Sequence, residues 1–114
     1  SDDGDYWSPD IDLKEENQSY TIIADIPGME KKDIKINIDQ FNNLVIEGER
    51  AAEIKKERKS YICFERCKGA FFRRISLPTA VDPQGIKAKY LNGVLEISIP
   101  KAKESVIKQI AVEE

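Results

Sequence analysis

The chain has 114 residues, 40% of them apolar and 34% charged, enough for one domain with one modest core and too few for two. It contains no histidine, which removes Ser-His and Cys-His nucleophile systems and every imidazole metal ligand in one step. A net charge of −3 and a pI near 5.1 supply no field to draw the chain onto phosphate backbones, and no apolar run is long enough to cross a bilayer.

In chain order, the first strand pattern is SYTIIADIPG, where Tyr20, Ile22, Ala24 and Ile26 share one face and Pro27-Gly28 stops the run. In DIKINID, Ile34, Ile36 and Ile38 face one way while Lys35 and Asn37 face the other. Asn42-Asn43 then turns the chain into LVIEGE, its expected hairpin partner. The charged stretch ERAAEIKKERKS reads as a long solvated loop leading to the strand-like YICFER, and ordered loops of that length tend to carry function. Cys63 and Cys67 lack the Cys-x-x-Cys spacing, and two thiols without histidine cannot close a zinc site. In an extended segment they would stand about 13 Å apart, too far for a mutual disulfide, so they are expected reduced and structural, with an intermolecular contact or redox sensitivity as the alternative.

Three more strands follow: AFFRRISLP, GIKAKYL and GVLEISIP. Arg73 has the parity of Phe71, Ile75 and Leu77, which puts a guanidinium on the more apolar face and calls for a carboxylate partner at an interface or rim. Asn92-Gly93 takes the positive φ values of a type I′ turn at little cost, so the last two strands form a hairpin. Several short alternating strands with turn signals and hardly any helical periodicity describe an all-β sandwich. The tail KESVIKQIAVEE ends in the apolar triplet Ile110-Ala111-Val112, which has no reason to fold alone and reads as a strand-like ligand for a sheet edge or face.

These residues carry a resemblance. Leu77-Pro78, Val81-Asp82-Pro83 and Asn92-Gly93-Val94-Leu95 resemble the signature of the small heat-shock proteins, a proline with Gly-Val-Leu about fourteen residues beyond it. YWSPDIDLKEE, Ile26-Pro27-Gly28, LVIEGER, FERCKGAFFRRISLP and the I-x-V triplet are similar, in order, to the family's bacterial, archaeal and plant branch. The resemblance implies an immunoglobulin-like antiparallel β-sandwich, the α-crystallin domain, with a long dimerisation loop. It divides the chain into an N-terminal remnant at 1–8, the domain at 9–101 and a C-terminal extension at 102–114. It further implies an ATP-independent holdase that binds unfolding client proteins under stress. In this branch residues 49–68 form an arm that swaps onto the partner's Ile11–Glu15 edge, placing Ile11, Leu13, Tyr61, Cys63, Phe64 and Arg73 at a dimer interface. The tail residues Ile110 and Val112 would dock in a groove formed by Ile34, Ile36, Ile38, Ile86 and Ala88, with Pro78, Gly93, Val94 and Leu95 as signature turn and strand. Large oligomers would require the family's apolar N-terminal region, of which only six residues precede Trp7.

Neither catalysis nor a cofactor is expected: the acids are scattered without an evident pair, and no glycine-rich phosphate cradle occurs. Cytoplasmic localisation is expected, without nucleic acid or membrane partners. A CS-domain co-chaperone, a similar but normally monomeric sandwich, is the alternative, and the long arm and tail triplet fit it less well.

Overall fold

A computed structural model of the chain describes residues 6–49, 69–103 and 110–113. The strands are β1 (Tyr6–Trp7), β2 (Ile11–Glu15), β3 (Ser19–Asp25), β4 (Ile34–Ile38), β5 (Asn43–Glu49), β6 (Ala70–Ser76), β7 (Lys87–Leu91) and β8 (Val94–Pro100), with 3₁₀ turns at Lys31–Asp33 and Pro83–Gly85. They form two sheets of order β1-β6-β5-β4 and β2-β3-β8-β7. No α-helix occurs among the described residues, as the period-two patterning predicts. Residues 50–68, expected as the dimerisation arm and including Tyr61, Cys63, Phe64 and Cys67, lie outside the described residues.

Alternation builds the core. Tyr20, Ile22 and Ala24 of β3, with Ile26 just after it, face Leu44, Ile46 and Phe71 of the β1-β6-β5-β4 sheet, with Ile97 and Ile99 of β8 beside them, all fully buried. Both predicted hairpins form: Ile36 pairs with Ile46, and Tyr90 pairs with Leu95 across the Asn92-Gly93 turn. Asn92 and Gly93 have φ of 52° and 82°, the left-handed values that the turn demands. One pairing departs from the antiparallel pattern: β1 runs parallel to β6, with Trp7 opposite Phe71. A two-residue strand at the head of the chain carries no alternation from which direction could be read.

The β4–β5 turn is held from both sides. Asn42, at φ 64°, donates through Nδ2 to the carbonyls of Leu77 (3.0 Å) and Thr79 (2.7 Å), pinning the turn to the loop after β6. Asp39 accepts from the backbone N–H groups of Asn43 and Phe41, each at 2.9 Å. The Asn43 N–H chiefly, with the Asn43 side chain, the Phe41 N–H and Arg74, holds the Asp39 carboxyl below its ordinary value of 3.8 against the opposing effect of desolvation. A folded-state pKa below the unfolded one stabilises the native state above the ordinary value, and that stabilisation is lost as pH falls through the depressed one. The stability gap between the parent and Asp39→Asn is therefore expected to be constant near neutrality and to close as pH falls below about 4, read from urea midpoints across pH.

Candidate functional site

Residues 8–10 connect β1 directly to β2, so these two edge strands share one flank of the sandwich, and β4 and β7 share the other. On the second flank the inward positions are Ile34, Ile36 and Ile38 of β4, with Ile86 just ahead of β7 and Tyr90 on it. All five are partly buried against the core. Ala88 stands opposite buried Ile97 on the inward side of β7, yet it is exposed. The small Ala88 side chain does not close this edge of the sandwich, and the apolar row beside it is only partly covered.

Tyr90, absent from the groove residues that the family resemblance implies, braces this edge. Its hydroxyl donates to the Ile26 carbonyl and accepts from the Met29 N–H at 3.3 Å, tying β7 to the loop that leads into β4. The only sequence signal was an aromatic at an inward parity, which cannot reveal a hydroxyl contact 64 residues away.

Ile110 and Val112 of the tail are 79% and 94% exposed, among the most exposed large apolar residues described. The signature residues serve the frame of the site. Leu95 is buried, Pro78 and Val94 are exposed, and the Gly93 carbonyl accepts from the Ile26 N–H at 2.7 Å, joining the β7–β8 turn to the end of β3.

On the first flank β2 is a sheet edge. Ile11 packs against the core, whereas Leu13, on the same inward side and opposite Ile22, remains 44% exposed. Arg73 is partly buried at the adjacent end of the other sheet, where its Nη1 donates to the Pro9 carbonyl at 3.0 Å. Its parity argument called for a carboxylate; among the described residues the partner is this backbone oxygen. Trp7 packs on Phe71 with ring centroids 5.5 Å apart, closing the layer at that corner.

Sequence patterning gave no sign of Lys101. Its side chain is 2% exposed, with Nζ 2.8 Å from Glu15 Oε2 and 5.1 Å from the Tyr20 ring centroid. The Lys101 and Ala102 N–H groups donate to the Gln18 and Ala80 carbonyls, so the root of the extension is strapped to the β2–β3 turn and to the loop after β6. A lysine directly after an alternating strand reads as a solvated cap, and only the packed ends of β2 and β3 make it a buried one.

The comparisons with known proteins agree with this architecture. A profile described as the Hsp20/alpha crystallin family matches residues 12–113. Small heat shock protein C2 of Rickettsia felis is 36% identical over 104 residues, covering 91% of this chain and 67% of its own length. A 17.7 kDa class I heat shock protein of Oryza sativa subsp. japonica is 38% identical over 104 residues, covering 90% and 65%. The chain thus spans about two thirds of the length of these curated relatives. Among solved structures, a small heat-shock protein from Xylella fastidiosa superposes with a TM-score of 0.70 at 37% identity, covering 95% of this chain and 98% of that one. The hspA protein of Xanthomonas axonopodis gives 0.68 at 42% identity, covering 83% and 94%. With the family profile spanning nearly the whole chain and the same two-sheet sandwich on both sides of the comparison, the chain belongs to the Hsp20/alpha crystallin family.

Proposed function

We propose that this chain is an ATP-independent chaperone that binds unfolding proteins in the cytoplasm and keeps them from aggregating. The observation that carries the reading is the partly covered apolar row Ile34, Ile36 and Ile38 beside exposed Ala88, together with an exposed apolar tail triplet, in a chain of this family. An unfolding client exposes apolar surface worth roughly 25 cal/mol per Å² removed from water, and a groove that covers it competes with client self-association without a nucleotide. The activity is binding, not catalysis. The test is light scattering from a heat-denatured reporter enzyme, without nucleotide, at increasing chain-to-reporter ratio. Suppression by the parent and a loss of more than half of it in Ile36→Glu are expected; equal suppression by both would remove the groove from the mechanism.

The same reading assigns the division into 1–8, 9–101 and 102–114 and the two contacts between copies. Residues 49–68, with Tyr61, Cys63 and Phe64, pair with the partner's β2, where Leu13 supplies exposed apolar surface, and Arg73 lies at the rim of that contact. Ile110 and Val112 insert beside Ala88 in the groove of another copy. Burial of each side chain is worth about 1.5–3 kcal/mol before the cost of association, so a single docking event is weak and an array of them is not. Light scattering coupled to size exclusion is expected to give a dimer or a multiple of it. Leu13→Asp shifts the mass to the monomer, and Ile110→Ala with Val112→Ala lowers any mass above the dimer while leaving the dimer intact.

A further inference from the structure

The free edge of β2 presents an inward row of Ile11, Leu13 and Glu15, which stand directly opposite buried Ala24, Ile22 and Tyr20 of β3. Its outward residues, Asp12 and Lys14, are exposed, and Lys14 lies 3.4 Å from Glu16. A carboxylate on the inward row sets this edge apart from the two on the opposite flank, where β4 carries Ile34, Ile36 and Ile38 and β7 carries Ala88 and Tyr90. Inward-pointing charges on an edge strand are a device against strand addition, because a strand laid along the edge strips water from the charge. Glu15 alone would therefore close β2 to a partner, next to a leucine that is 44% exposed.

Lys101 answers that charge from inside the sandwich. Its Nζ lies 2.8 Å from Glu15 Oε2, and its side chain, 2% exposed, is the most buried partner in any ion pair among the described residues. The lysine is held by its own chain: its N–H donates to the Gln18 carbonyl at 2.9 Å, and Nζ lies 5.1 Å from the Tyr20 ring centroid. The ammonium is thus already desolvated in the single chain and has no further water to lose to a partner. Only the exposed half of Glu15 remains to be covered, and it is covered with its counter-ion in place. We propose that Lys101 licenses the β2 edge for strand addition, and so sets the affinity of the dimer from a position beneath the interface. This rests on the pairing of β2 with a partner strand given above and adds the group that makes the edge acceptable. Anchoring the root of the extension is a second use of the same lysine, and that use by itself demands no change in dimer affinity when the charge is removed.

The test is the dimer dissociation constant of the full chain, from sedimentation equilibrium over a dilution series, for the parent, Lys101→Met, Glu15→Gln and the double variant, each first shown to be folded by circular dichroism. Lys101→Met is expected to weaken the dimer about tenfold or more, because the partner then covers a carboxylate that has lost its cation. Adding Glu15→Gln to Lys101→Met removes that charge and is expected to bring the dimer back to within about threefold of the parent. Glu15→Gln alone is expected to stay within about threefold as well, since the buried ammonium loses no water when the edge is covered. A Lys101→Met dimer as tight as the parent, with Leu13→Asp monomeric, overturns the proposal and leaves the β2 pairing standing. Equal weakening in Lys101→Met and in the double variant also overturns it, because the loss would then come from the packing of the lysine stem and not from its charge. A dimer that Leu13→Asp leaves intact, or a parent that is monomeric at every concentration, overturns both, since β2 then receives no partner.

Discussion

Replacing Gly48 by alanine is expected to destabilise the domain by about 3 kcal/mol or more, a large share of the roughly 5–15 kcal/mol that holds a domain folded. Gly48 lies in the middle sheet position where β5 passes between Ile34 of β4 and Phe71 of β6. A Cβ there would stand 2.4 Å from Phe71 Cε2, 2.9 Å from its Cζ and 2.8 Å from the Asp33 carbonyl oxygen. The Phe71 ring is fully buried and cannot swing away without opening a cavity, and the Asp33 oxygen is backbone at the start of β4. Both obstacles are fixed, so the strain is not relieved by rotating one side chain. Urea unfolding followed by circular dichroism checks this: Gly48→Ala should lower the midpoint with the m-value unchanged. In a double-mutant cycle, Phe71→Leu should cost clearly less in the Gly48→Ala background than alone, since the smaller side chain frees part of the space that the methyl group needs. Additive costs would show that the ring is not the obstacle. The inward row of β4 depends on the same contact, because Ile34, its first member, is held opposite Gly48.

The parts of the fold that were legible in the sequence are those that local pattern controls. Alternation assigned Tyr20, Ile22, Ala24 and Ile26 to one face, and all four are fully buried because a strand with one covered face has no other register. Asn92-Gly93 specified its hairpin because few residue pairs accept two positive φ values. The inward row Ile34, Ile36 and Ile38 was equally visible, and so was the tail triplet. The unread parts depend on what lies across the sandwich. Ala88 is exposed at an inward position because β7 is an edge, which the alternation of KAKYL cannot express. Tyr90 became a brace, and Arg73 found a carbonyl, through contacts 64 residues away in sequence. The apolar parity of Arg73 was a correct signal of partial burial, but a guanidinium has five donors and parity does not say which acceptor they meet.

Lys101 lies furthest from sequence legibility, and its pair with Glu15 makes the second strong prediction, in which the two partners are not equivalent. The lysine side chain is 2% exposed and that of the glutamate 48%, so the pair joins a desolvated cation to a half-solvated anion across 86 residues. Removing the glutamate leaves an ammonium buried against Tyr20 with a π face but no anion. Removing the lysine leaves a carboxylate that water can still reach. Breaking a fully buried pair from one side costs about 3–5 kcal/mol; with half of the anion in water and the Tyr20 ring remaining, about 2 kcal/mol is expected for Glu15→Ala. Lys101→Met keeps the length of the buried stem and discards the charge, so it is expected to be within about 1 kcal/mol of neutral, on either side. The double variant should then match Lys101→Met and not the sum of the singles, which denaturant midpoints for the four chains would show. The reverse order of costs would mean that Lys101 is held by its stem and its backbone straps alone. The outcome matters for the tail, because Lys101 and Ala102 are hydrogen-bonded to the body of the domain at the root of the extension, and Glu15 ends the strand whose free edge is proposed to receive the partner. A partner strand laid along β2 would remove water from the exposed half of Glu15, strengthening its attraction to Lys101 and fixing the root of the extension more firmly in the dimer than in the monomer.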